Sequence, residues 1–257
     1  MTVTIGVSGK GGTGKTTFAA LIVEYLTDKG LKPVLAVDAD PNSNLDLVLG
    51  VGLPTTIGAV REDMTEKTKK SLLPAGMSKQ ELLEMQVEQA LVETKDFDLI
   101  SMGRQEGPGC YCAINNMLRV FIDRLEEHYE YVVIDNEAGM EHLSRRTTRA
   151  LDVLFVVSDP SRRGLETASR ISGLAHEMQL EVGKERLVVS RVRGTLAEPL
   201  VKAAADTGME LAGTIPEDEE ITALEVEGKP LRSLRADSGA RLATSAIMDS
   251  VLQGVKG

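Results

Sequence analysis

The sequence predicts an α/β fold in one domain: a mostly parallel central sheet with helices on both faces. Three observations carry this. An apolar, β-rich run at Val3–Ser8 enters a glycine loop and then a helix, and a second apolar run, Pro33–Val37, follows, which is a β-α-β opening. Further apolar runs recur at Phe97–Met102, Tyr131–Asp135, Val153–Ser158 and Leu187–Arg191, as expected of strands buried on both faces. No linker, internal repeat or low-complexity tract divides the 257 residues, a length that suits one large domain with a well-buried core.

After the first strand, Gly9-Lys10-Gly11-Gly12-Thr13-Gly14-Lys15-Thr16 satisfies G-x-x-x-x-G-K-[ST], the phosphate-binding P-loop, with Thr17 following. Glycines let backbone N–H groups approach phosphate oxygens, and the helix that follows points its positive end at the same anion. Lys15 reaches the β- and γ-phosphates and Thr16 holds Mg²⁺ in such a loop, which makes the expected fold a P-loop NTPase. The helix carries Phe18, Leu21, Ile22, Tyr25 and Leu26 on one stripe and stops at Gly30.

The second strand ends in Asp38-Ala39-Asp40-Pro41, where open α/β sheets place ligands. A carboxylate there can orient an attacking water and sense Mg²⁺, or the stretch is an ordinary acidic turn. The region around 52–96 reads as a charged helical insertion: Arg61–Lys70 shows no clear period, whereas Met77–Leu91 reads as a helix with Ser78 and Glu81 as a capping box. An amphipathic helix over Ala113–Leu125 follows the Phe97–Met102 strand. Tyr131–Asp135 ends in an aspartate at the Walker B position, where Asp135 supports Mg²⁺ through its water shell, and Asn136–Arg145 is the expected second switch. A helix through Leu165, Ala168, Ile171 and Leu174, a strand at Leu187–Arg191, a short last strand before Pro216 and a closing helix at Ser238–Leu252 complete the chain.

A net charge of −10 argues against general nucleic-acid affinity, and 3% aromatic residues with no Trp against stacking on single strands. No apolar run approaches the roughly 20 residues needed to span a bilayer, and the start lacks a signal-peptide pattern, so the expected location is cytoplasmic, without membrane partners.

In such a reducing compartment the two cysteines are better read as ligands or reactive thiols than as a disulfide. Both fall in one C-x-C, Cys110 and Cys112, at the entrance to a helix, whose N-terminus favours the thiolate. Two soft ligands are half of a closed site. His128, His142 and His176 lack ligand spacing to them, but a two-fold dimer supplies four thiolates on its axis. Two buried small side chains and a redox pair are the other readings, the last weakened by the strain of so short a disulfide loop.

The second lysine of the loop, Lys10 in G-K-G-G-x-G-K-T-T, resembles the deviant P-loop of the MinD-like ATPases, which include the nitrogenase iron protein, chromosome-partitioning ATPases and metallochaperone ATPases. The resemblance implies an ATP-dependent homodimer in which Lys10 reaches the partner's phosphates. It makes Asp40 of D-A-D-P the water-orienting residue and puts Asp38 nearer the metal. It also places Arg191, Pro216 and Glu217 beside the base and ribose; where the family often has an adenine-reading Asn, this chain has Ser190, which lacks a bidentate amide. Together with G-C-Y-C and D-N-E-A-G-M-E-H-L, the whole chain resembles the CooC-type nickel-insertion ATPases. That resemblance implies Ni²⁺, or Zn²⁺, on Cys110 and Cys112 across the dimer axis, and carbon monoxide dehydrogenase or acetyl-CoA synthase as client. The rival readings are an iron-protein-like ATPase with an iron–sulfur cluster, a positioning ATPase without metal, and a non-enzymatic nickel store with a degenerate ATP site, against which the presence of Lys15, Thr16, Asp40 and Asp135 argues.

Overall fold

The computed structural model describes residues 2–42, 44–70, 72, 74, 76–104, 112–137 and 150–253, with the backbone alone at 112, 113, 115, 116 and 119. Its strands are β1 (Val3–Gly9), β2 (Val34–Asp38), β3 (Val92–Glu93), β4 (Asp98–Ser101), β5 (Tyr131–Asp135), β6 (Ala150–Ser158), β7 (Glu181–Val192) and β8 (Glu210–Pro216). They form one sheet in the order β3-β4-β2-β5-β1-β6-β7-β8, parallel throughout except for the short β3–β4 pair. The expected α/β architecture is the observed one.

The described helices are α1 (Lys15–Asp28), α2 (Leu45–Leu49), α3 (Ile57–Lys69), α4 (Lys79–Ala90), α5 (Cys112–Glu126), α6 (Arg162–Glu177), α7 (Glu198–Ala205), α8 (Glu219–Glu227) and α9 (Gly239–Leu252). Alternation along the strands sorts the core into two layers. Leu35 and Val37 face α3, α4, α5 and α6, while Val34 and Ala36 face the side of α1, α2 and α9. Because both faces are covered, the strands read as continuous apolar runs rather than alternating ones.

Strand β3 and helices α2, α7 and α8 have no counterpart in the sequence reading, and two other elements differ from it. The stretch 61–70, which shows no period, forms the later part of helix α3 and its C-cap, Lys70. Its apolar contact is a narrow line of Ile57, Val60 and Met64, and from Arg61 onward every other position of the helix is charged or polar. Gly58 permits the close packing of that helix: a Cβ there would lie 2.2 Å from the Arg104 carbonyl oxygen. Strand β7 starts at Glu181, six residues before the apolar run, because its first half is charged and half-exposed while still pairing with β6. Helix α4 has the expected capping box, with the Glu81 N–H donating to Ser78 Oγ (3.1 Å) and the Ser78 N–H to Glu81 Oε2 (2.7 Å). No described helix is long and apolar enough to cross a membrane.

Candidate nucleotide site

The sheet register builds the site. Val7 of β1, Asp135 of β5, Asp38 of β2 and Ser101 of β4 lie side by side at the carboxyl edge. Past that edge the backbone pairing continues: the Met102 N–H donates to the Asp38 carbonyl (2.8 Å), Ala39 N–H to Asp135 (2.9 Å) and Asn136 N–H to Val7 (2.8 Å). The Asp38–Pro41 stretch and the start of the expected second switch are thereby tied to the strand that carries the glycine loop and to the strand that precedes the cysteines. This is the crevice in which open α/β sheets bind ligands.

The loop follows from its residues. Gly9 passes flush against β6, where a Cβ would lie 2.3 Å from the Val157 carbonyl oxygen. Gly12 and Gly14 sit at φ 81° and 82°, in left-handed backbone that favours glycine. A Cβ at Gly11 or Gly12 would meet no protein atom within 4 Å, so the exposed side of the loop offers bare backbone to an approaching phosphate. Thr13 is buried and closes the loop on itself, donating from its N–H (3.3 Å) and Oγ (2.8 Å) to the Lys10 carbonyl. Lys10 itself is exposed, whereas Lys15 is buried with its Nζ 3.8 Å from Asp40 Oδ2.

The two strand-end aspartates do different work. Asp38 spends its oxygens on the turn it opens, accepting from the Asp40 N–H (3.2 Å) and the Leu45 N–H (3.0 Å); burial pushes its pKa up to about 6 against those two bonds. Asp135 is fully buried, and neither carboxylate oxygen has a hydrogen-bond partner. Burial pushes its pKa up to about 7, opposed by the neighbouring Thr16 hydroxyl and the Lys15 ammonium. An unpartnered buried carboxylate beside a P-loop threonine fits Mg²⁺, with Thr16 and Asp135 as the residues that would hold it and Asp38 bracing the segment after β2. A bound Mg²⁺ neutralises charge that develops on the β- and γ-phosphates.

These directions give a testable pH dependence for the metal-free protein. Both carboxyls ionise near 3.8 when unperturbed and keep their protons to about 6 and about 7 when folded. Folding therefore takes up protons between roughly pH 4 and 7, and stability falls as pH rises across that window. Asp135→Asn should remove most of this slope and stabilise the metal-free protein at pH 8 by on the order of 3 kcal/mol. Urea unfolding in a chelating buffer at pH 5 and pH 8 measures it; an unchanged slope would contradict the assignment.

A cleft of 260 Å³ opens beside the loop. The structure brings to it five of the sequence-expected residues, Gly14, Thr17, Arg191, Pro216 and Glu217, together with Ser190. It also brings Phe18 and Leu21, which the sequence reads simply as core, and Ile221, Thr222 and Glu225 of α8, which carry no motif. Glu217 is already paired bidentately with Arg193. Among the described residues no group of three or more His, Cys, Asp or Glu is gathered as a metal site. Cys110 and the expected switch residues Ala138–Arg145, His142 included, lie outside the described residues; Cys112 opens α5.

Residues 5–231 match the family described as the CobQ/CobB/MinD/ParA nucleotide binding domain. The chain belongs to this MinD/ParA family of P-loop ATPases. Among relatives, an uncharacterized ATP-binding protein of Methanocaldococcus jannaschii is 46% identical over 90% of each chain. The carbon monoxide dehydrogenase accessory protein CooC of Rhodospirillum rubrum is 31% identical over 98% of this chain and 97% of its own. In fold, the chain is similar to the cell division ATPase MinD of Pyrococcus furiosus (TM-score 0.71, 22% identity, 98% and 99% of the two chains). It is also similar in fold to MinD of Pyrococcus horikoshii, solved with Mg-ADP (TM-score 0.69, 24% identity, 100% and 99%). As a MinD/ParA ATPase, the chain hydrolyses ATP. The loop offers bare backbone, Lys15 is a buried cation at its end, and the cleft lies between α1 and the ends of β7 and β8.

Proposed function

We propose that this ATPase is a nickel metallochaperone: a homodimer that holds Ni²⁺ as cargo on Cys110 and Cys112 of both subunits and delivers it to a nickel enzyme such as carbon monoxide dehydrogenase or acetyl-CoA synthase. One observation carries the reading. The only two cysteines of the chain form a C-x-C in a protein that aligns over 98% of its length with a carbon monoxide dehydrogenase accessory protein. Four thiolates suit a soft or borderline divalent cation such as Ni²⁺ or Zn²⁺.

The site's construction supports a link from nucleotide to cargo. The segment with Cys110 runs from β4 to α5, and β4 ends in register with Asp38. Helix α5 packs Ile114, Leu118 and Ile122 into the same core layer as α3 and α4. In the proposed cycle, ATP held by Lys15 and by Lys10 of the opposite chain draws the subunits together, Asp40 orients the attacking water, and hydrolysis releases the contact. The two nucleotide states then differ in their affinity for the metal, as coupling requires.

The MinD relatives favour a second reading, a positioning ATPase without cargo; MinD of Bacillus subtilis is 28% identical over 87% of this chain. Anaerobic Ni²⁺ titration of metal-free protein, with light scattering alongside, separates the two. The nickel reading expects one Ni²⁺ per two chains, lost in Cys110→Ser and in Cys112→Ser. Binding that survives both substitutions, or no binding, would leave the positioning reading.

A further inference from the structure

Ser190 occupies the place at which the resemblance expects an adenine-reading side chain, yet its hydroxyl is turned to another task. It is buried at 5% exposure, and its Oγ lies 2.5 Å from the Thr13 carbonyl oxygen, 177 residues away in sequence. The Ser158 carbonyl is the more distant alternative acceptor at 3.3 Å. A hydroxyl has one proton to donate, and the shorter contact takes it.

The backbone is bent to make this contact. The β7–β8 register breaks between Val189 and Val192, so Ser190 and Arg191 form an irregularity in the ladder. Arg191 sits at φ 56°, one of two non-glycine residues in left-handed backbone among those described. Such strain persists where surrounding contacts hold it and is found at functional sites. Here it turns the end of β7 toward the glycine loop.

We propose that Ser190 is a positioning residue for phosphate binding rather than a reader of the base. The Thr13–Gly14 peptide is planar and trans, so its C=O and N–H point in opposite directions. Holding the Thr13 carbonyl fixes the direction of the Gly14 N–H, at the residue that caps α1 and leads out of the glycine loop. Thr13 in turn grips the Lys10 carbonyl through two donors. A single relay, Ser190 to Thr13 to Lys10, therefore presets both the N-terminal end of α1 and the backbone that carries the loop's exposed lysine. The proposal rests on the ATPase site and is independent of the nickel reading.

The test compares ATP with inorganic tripolyphosphate, which has no base, by competition against a fluorescent nucleotide. Ser190→Ala should weaken both by the same factor, about three- to tenfold, the loss of one buried hydrogen bond. Ser190→Cys, which keeps the shape but donates poorly, should behave as Ser190→Ala does. Thermal unfolding without nucleotide, run in parallel, confirms that the variants are folded at the assay temperature. Three results would overturn the proposal: ATP affinity falls while tripolyphosphate affinity holds, both hold, or Ser190→Cys matches the wild type.

Discussion

Lys15→Ala is expected to lower ATP hydrolysis by at least about a hundredfold while the protein stays folded, because it removes a preorganised buried charge from the γ-phosphate position. Lys15 is 8% exposed, and its ammonium stands 3.8 Å from Asp40 Oδ2, at the edge where Asp38 and Asp135 also lie. Lys15 is one of the groups that hold Asp135 down against its burial. Removing it pushes the Asp135 carboxyl further up, so Mg²⁺ competes with a more tightly held proton and metal affinity falls together with phosphate affinity. Steady-state phosphate release, with circular dichroism as the folding control, checks this. Activity within about threefold of wild type would mean that the buried lysine is not the catalytic cation.

Lys10→Ala is expected to act on a different step. The Lys10 side chain is exposed and has no ion-pair partner among the described residues; the loop uses its carbonyl, which the substitution keeps. ADP binding to a single subunit should stay within about threefold, since the Thr13 contacts to that carbonyl survive. ATP-dependent dimerisation should disappear, and hydrolysis should fall by about a hundredfold or more, as when a cation supplied from a neighbouring chain is withdrawn from the transferred phosphoryl group. Light scattering with ATP, together with ADP titration, separates the two effects. A variant that still dimerises on ATP would show that the second lysine acts within its own chain.

What could be read from the sequence follows from how local each signal is. The glycine loop is eight consecutive residues with a stated chemistry, and the strands are apolar runs because both sheet faces are covered. Helix α3 escaped because its buried line of Ile57, Val60 and Met64 is one residue wide per turn, and charges on the remaining faces drown the period. Phe18 and Leu21 read as core, and they are on the apolar stripe, but the cleft opens where that stripe meets the end of β8, a juxtaposition no local pattern encodes. The division of labour between Asp38 and Asp135 depends on a parallel register between strands nearly a hundred residues apart and on the turn that Asp38 caps. The missing amide at Ser190 was visible as a departure; its bond to Thr13 was not, since it joins the end of β7 to the first loop of the chain.

The central claim is that nucleotide state controls the grip on a metal held between subunits. The most direct measurement is the Ni²⁺ dissociation constant of the metal-free protein under anaerobic conditions in three states: without nucleotide, with Mg-ADP, and with Mg-ATP in an Asp40→Ala background, which the proposed cycle expects to block hydrolysis. The account predicts affinities that differ between the ATP and ADP states by at least about tenfold, a coupling of about 1.4 kcal/mol, and a difference that vanishes in Lys10→Ala. Equal affinity in all three states would contradict it, because ATP could then do no work on the metal.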